Sequence, residues 1–164
     1  MINDRDNDTD RSIDIDKLRL RMADLCARSE QCSYDIALKL RRAGASAAQM
    51  MQIIDDLRSQ KFIDDARYAR ALTNDKVRFA GWGRMKIRAA LLAKRISESD
   101  IRLAFDGIDD DEYNASLMRV ARSKARGLDL GDYRQRQKFF RSMASRGYEP
   151  GLISSALTAL CSDC

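Results

Sequence analysis

Residues 37–57 read ALKLRRAGASAAQMMQIIDDL. A basic, apolar stretch stops at Gly44, and a second run begins three residues later with Met50, Ile53, Ile54 and Leu57 on one helical face. Gly44 suits the left-handed position that ends a helix. Ser46-Ala-Ala-Gln49 carries the Ser and Gln of a reciprocal N-terminal cap. The stretch therefore predicts a helix, a tight turn and a second helix, with no strand.

The pattern occurs three times. ALLAKRISESDIRLAFDGI (90–108) and FRSMASRGYEPGLISSALTAL (140–160) align with it when Leu40, Leu91 and Met143 are made equivalent, at offsets of 51 and 52 residues. Gly44, Arg95 and Gly147 then fall at the turn. The second helices align as Met50/Ile53/Ile54/Leu57, Ile101/Ala104/Phe105/Ile108 and Ile153/Ala156/Leu157/Leu160. A period in this range signals an array of supersecondary units. Ser97-Glu-Ser-Asp100 resembles a capping pattern, and Pro150 sits where a missing N–H is harmless. Asp64-Asp65 and Asp109-Asp-Asp-Glu112 place acids where they favour the start of a third helix in units one and two. This organisation is all-α, with about nine helices and no sheet. It divides as an acidic, disordered tail (1–16), an N-terminal helix (17–32), three-helix repeats over 33–81 and 82–131, and a third repeat (132–164) truncated to two helices.

The third helices carry the charge. At 100° per residue, Tyr68, Leu72 and Phe79 lie on one side in unit one, and Arg67, Arg70 and Arg78 on the other. In unit two, Leu117, Met118, Ala121 and Ala125 oppose Arg119, Arg122 and Arg126. In unit three, Phe139, Phe140 and Met143 oppose Arg134, Lys138 and Arg141. Solvated faces account for any single stripe, but such faces normally intersperse acids. Residues 76–95 hold seven Lys or Arg and no acid, and residues 117–146 hold nine against two. That imbalance favours a basic surface running across the units, and arginine suits bidentate contacts to phosphate or carboxylate.

Between the first two units lies GWGRMKIRAALLAKR (81–95), which contains the only tryptophan. Arg84, Arg88 and Arg95 share one arc of the helix that follows, and its start offers backbone N–H groups as an anion site. Gly81 and Gly83 suit a C-cap followed by a tight turn. Trp82 either stacks on a nucleobase or, the commoner arrangement, packs between the helices it joins.

Composition bounds the rest. The 164 residues are 45% apolar and 34% charged, ordinary for a soluble helical protein. Six Asp and two Arg give residues 1–16 a net charge of −4, which leaves +9 on residues 17–164 against +5 for the chain. A basic body of that size suits a polyanion or an acidic protein surface. No stretch approaches the ~18 apolar residues of a membrane span, and the N-terminus lacks a signal peptide's apolar core, so a cytoplasmic location is expected. Cys161 and Cys164 have the spacing of half a zinc site. With no histidine, the other half falls to the loosely spaced Cys26 and Cys32. Reduced thiols are the simpler reading, and no metal or cofactor is expected.

The block FIDDARYARALTNDKVRFAGWGRMKIRAALLAKRIS (62–97) resembles the signature region of RecX, the regulatory protein of bacterial RecA. An apolar-x-Asp-Asp-x-Arg-aromatic-Ala core there leads into a Gly-x-Gly turn, a basic helix and a short loop. QKFFRSMASRGYEPGLISSAL (137–157) is similar to that family's closing segment, and the likeness spans about residues 25–160. Many relatives carry proline after the second glycine, where this chain has Arg84. The resemblance implies an elongated, curved array of tandem three-helix units. It also implies a non-enzymatic modulator that binds along the groove of RecA–single-stranded DNA filaments, limits their extension or promotes their disassembly, and so lowers ATPase, strand-exchange and co-protease activity. Roles in DNA repair, recombination and the SOS response go with it.

The absence of histidine, of a Walker-type GK[ST] and of an embedded nucleophile argues against an enzyme. The Asp106, Asp109–Glu112 cluster reads as helix capping rather than a metal site. The rival reading is a basic DNA-binding protein of helix-turn-helix-like units, able to take duplex as well as single-stranded DNA. A monomer is expected, since a binder of this kind needs no self-interface.

Overall fold

The computed structural model describes residues 14–162. Most of the expected disordered tail, residues 1–13, lies outside the described residues, as do Asp163 and Cys164. Among the described residues there are nine α-helices and no strand: α1 (Ile15–Arg28), α2 (Ser33–Arg42), α3 (Ala47–Ser59), α4 (Asp65–Asp75), α5 (Arg84–Ala93), α6 (Glu98–Asp106), α7 (Asp110–Ala125), α8 (Tyr133–Ser145) and α9 (Pro150–Ser162). None is long and apolar enough to cross a membrane. The first helix takes in Ile15 and Asp16, expected in the tail, because the Asp14 side chain accepts from the Lys17 N–H and opens the helix there. It also stops at Arg28, short of residue 32.

Two compact units divide the described residues at 64/65. In the first, α1, α2 and α3 enclose Met22, Ile36, Leu40, Ala45, Ile53, Leu57 and Ile63, all buried. Cys32 is fully buried at the α2 N-terminus, while Cys161, in the second unit, is exposed. In that second unit, α4, α5 and α6 pack together, and so do α7, α8 and α9. Their cores comprise Tyr68, Ala69, Ile87, Leu91, Ile101 and Ala104, then Tyr113, Leu117, Ala121, Phe139, Met143 and Ile153.

The turns match their sequence signals. Gly44, Arg95 and Gly147, made equivalent by the repeat, have φ of 88°, 57° and 85°. All three are left-handed, including the one that is not glycine. Ser46 and Gln49 form the complete reciprocal cap. Ser97 and Asp109 each accept from the N–H three residues on, and Pro150 opens α9.

One element departs from regular helix. After Asp75, α4 continues as a π-helical turn, Lys76–Ala80, closed by Gly81 at φ 61°, whose N–H reaches back to the Lys76 carbonyl. An i→i+5 turn admits an extra residue, which at 3.6 residues per turn swings the following side chains by roughly 100°. The residue thrown outward is Phe79. Regular periodicity assigns it to the buried side with Tyr68 and Leu72, yet it is 82% exposed, and Val77 is buried instead.

Candidate nucleic-acid interface

The GWGR stretch is a joint as well as a turn. The Gly83 N–H donates to the Arg146 carbonyl at 2.8 Å and the Met85 N–H to the Gly147 carbonyl at 3.0 Å, so the start of α5 sits on the turn between α8 and α9. The Arg84 N–H donates to the Tyr113 hydroxyl at 3.0 Å. The N–H groups of residues 83–85 are thus taken by the fold rather than offered to an anion. Gly83 has ordinary backbone angles (φ −82°). Its glycine is required by contact: a Cβ would lie 2.2 Å from the Gly147 carbonyl oxygen.

The same place absorbs Arg84. Its guanidinium lies 4.0 Å from the Tyr113 ring centroid, with Nη2 3.1 Å from Asp110 and Nη1 3.4 Å from Glu149. The Tyr113 hydroxyl donates to Glu149 Oε2 at 2.7 Å. Burial, reinforced by that bond to a carboxylate, pushes the Tyr113 phenol well above its usual range.

Several other expected contact residues are also engaged within the fold. Arg88 makes a bidentate pair with Glu98, both bonds 2.7 Å. Arg78 pairs with Glu112 at 2.6 Å. The π-helical turn leaves carbonyls without helical donors, and side chains of α7 and the α8–α9 turn supply them. Ser116 Oγ donates to Val77 at 2.7 Å, Arg119 to Arg78 at 2.9 Å, and Arg146 to Ala80 at 2.9 Å. Arg119 and Arg146 thereby act as carbonyl caps. No acid stands within residues 76–95, but Glu98, Asp110 and Glu112 arrive from other helices and Glu149 from the α8–α9 turn, which a local count of charge does not register.

What remains outward is a smaller set. Arg70 on α4, Arg122 on α7, Arg126 at its end, and Arg134, Lys138 and Arg141 on α8 are exposed and form no ion pair among the described residues. The three on α8 recur at i, i+4 and i+7 and so share a face. Arg67 is half-buried, and Arg95 is exposed at its left-handed turn. Trp82 is half-buried, with Lys86 Nζ 4.4 Å and Lys76 Nζ 5.2 Å from its ring centroid. Neither lysine stood among the expected contact residues. Cation–π pairs that gather lysines from both sides of a turn onto one ring, six and four residues away, have no signature in helical periodicity.

Among the described residues, no cluster of three or more His, Cys, Asp or Glu could hold a metal ion.

Two successive triplets, α4–α6 and α7–α9, make this a protein of tandem three-helix units. They are matched by the family models for the RecX second three-helix domain, over residues 64–104, and the RecX third three-helix domain, over residues 110–157. The chain is 32% identical to the regulatory protein RecX of Pseudomonas fluorescens over 143 residues, covering 86% of this chain and 90% of that protein. It is 30% identical to that of Vibrio campbellii, covering 82% and 85%. The crystal structure of RecX from Lactobacillus salivarius superposes with a TM-score of 0.78 at 19% identity, over 89% of this chain and 96% of that one. The chain belongs to the RecX family of regulatory proteins. The two matched stretches open at α4 and α7.

Proposed function

We propose that this protein is a non-enzymatic regulator of the bacterial RecA filament. In this reading it binds RecA–single-stranded DNA along the filament groove and lowers ATPase, strand-exchange and co-protease activity by blocking extension or promoting disassembly. It acts in the cytoplasm, as a monomer, in recombination, DNA repair and the SOS response. Membership in the RecX family carries the reading. The outward cations of residues 65–162 support it: Arg70, Arg122, Arg126, Arg134, Lys138 and Arg141 are solvated and available to phosphates or acidic side chains. Several weak contacts in series gain by avidity. Arg78, Arg84, Arg88 and Arg119 hold the fold in shape, and Arg67 and Arg95 flank the outward set.

The test is the DNA-dependent ATPase of cognate RecA, with this protein well below RecA's concentration, single-stranded DNA in excess and a basic control protein at matched salt. A decline with this protein alone supports the reading. No decline until the DNA itself is saturated overturns it and leaves a general DNA binder, whose hallmark is a preference among duplex sequences.

A further inference from the structure

We infer that the π-helical turn is a base-stacking element for single-stranded nucleic acid, with Phe79 as the platform and Lys76 and Lys86 as phosphate contacts. The inference rests on the reading that this protein meets single-stranded DNA, and it identifies a residue that periodicity had assigned to the core.

Phe79 is a large aromatic side chain 82% exposed, on an element whose Tyr68, Ala69 and Val77 are buried. It points outward because of the π turn, and π turns recur at functional positions. The turn is held rigidly. Ser116, Arg119 and Arg146 bind the carbonyls of Val77, Arg78 and Ala80, on both sides of Phe79 in sequence. A Cβ on Gly81 would lie 2.6 Å from Val120 Cγ2. Phe79 is therefore presented on a fixed backbone, and stacking on it orders only its own side chain.

The surrounding charge selects the occupant. Lys76 precedes Phe79 by three residues, and the Trp82 ring gathers the Lys76 and Lys86 ammonium groups against itself. The acids at hand are Asp75, 3.5 Å from the Lys76 ammonium, and Glu112, occupied by Arg78. An exposed ring close in sequence to two ammonium groups gathered on Trp82 suits an unpaired base and its neighbouring phosphates, because single strands are bound by aromatic stacking combined with cationic backbone contacts. Trp82, with lysines over its ring, serves as their anchor, and Phe79 takes the stacking role.

The full chain, its Phe79→Ala and Phe79→Trp variants, and Lys76→Gln would be titrated with a labelled oligothymidylate and with an abasic strand of equal length, over a range of salt. Circular dichroism confirms the fold of each. Phe79→Ala is expected to weaken oligothymidylate binding on the order of ten-fold, with the slope against salt unchanged and abasic affinity untouched. Phe79→Trp restores binding. Lys76→Gln lowers the slope by about 0.7, the value of one single-strand phosphate contact. Unchanged affinity in Phe79→Ala, equal loss on both strands, or failure of the wild type to bind oligothymidylate overturns the inference. Retained strand affinity with loss of RecA inhibition also overturns it and makes Phe79 a protein contact. Wild-type protein that shows these oligonucleotide results but leaves RecA's ATPase unchanged refutes the regulatory reading and leaves the stacking site standing.

Discussion

Gly83→Ala isolates the contact between α5 and the α8–α9 turn. The backbone at residue 83 suits alanine, so no dihedral strain enters. The new Cβ would stand 2.2 Å from the Gly147 oxygen, 2.3 Å from its carbonyl carbon and 2.4 Å from the Tyr148 nitrogen. These are main-chain atoms and cannot rotate aside. Ordinary contact starts near 3.4 Å, so the two segments must part by more than 1 Å. At that separation the bonds from Gly83 to Arg146 and from Met85 to Gly147, now 2.8 and 3.0 Å, are broken. Each buried group left unmatched costs about 1–3 kcal/mol. Against this, alanine restricts the unfolded chain by about 0.4–1 kcal/mol. Counting one unmatched group for each of the two bonds, the expected net destabilisation is about 1–6 kcal/mol, a fall in Tm of roughly 2–24 °C. Hydrogen exchange should show lost protection at the residue 83 and 85 amides. Gly151→Ala is the control: a Cβ there meets nothing within 4 Å, and stability should rise by up to about 1 kcal/mol. Gly83→Ala within about 0.5 kcal/mol of wild type, with both amides still protected, would refute the account of the joint.

Arg95→Gly should stabilise the protein by about 1 kcal/mol in urea unfolding, because φ 57° is strained for a residue with a Cβ and free for glycine. Tyr113→Phe leaves the Arg84 N–H and Glu149 without their shared hydroxyl and should destabilise by about 1–3 kcal/mol in the same assay. The Tyr113 proton is held more tightly folded than unfolded, so wild-type stability should be full below the ordinary phenol pKa of 10 and fall as pH rises above it. Tyr113→Phe should flatten that alkaline decline. Reversal of Arg134, Lys138 and Arg141 to Glu should leave helicity unchanged by circular dichroism, since all three are exposed, while abolishing most salt-sensitive single-strand affinity. Undiminished binding in that variant would remove the α8 face from the interface.

The fold was legible because its signals are local. Caps, left-handed turns and 3.6-residue periodicity act over a few residues, and aligning Arg95 with two glycines was enough to place it at a turn, whose left-handed backbone the structure then showed. The candidate site was legible only in part, because its decisive interactions join residues far apart in sequence. Arg84 and Arg88 share an arc of α5 as expected, but Glu149 meets the first from the α8–α9 turn and Glu98 the second from α6. Gly83 looked like a turn glycine, and its true constraint is the backbone of Gly147. Phe79 was misplaced for a different reason: periodicity assumes an unbroken helix, and one extra residue in a turn rotates the positions that follow by roughly 100°. The carbonyl donors that secure that turn come from α7 and residue 146, so nothing within residues 76–80 announces it.

The main-chain joint between α5 and the α8–α9 turn has an evolutionary consequence. Two backbones meet there with no side chain between them, so the spacing from the π-helical turn to the cations of α8 is set by atoms that every amino acid shares. Exposed positions can therefore exchange arginine, lysine or neutral residues, retuning strength and salt response one contact at a time, while the ruler that spaces those contacts stays the same length.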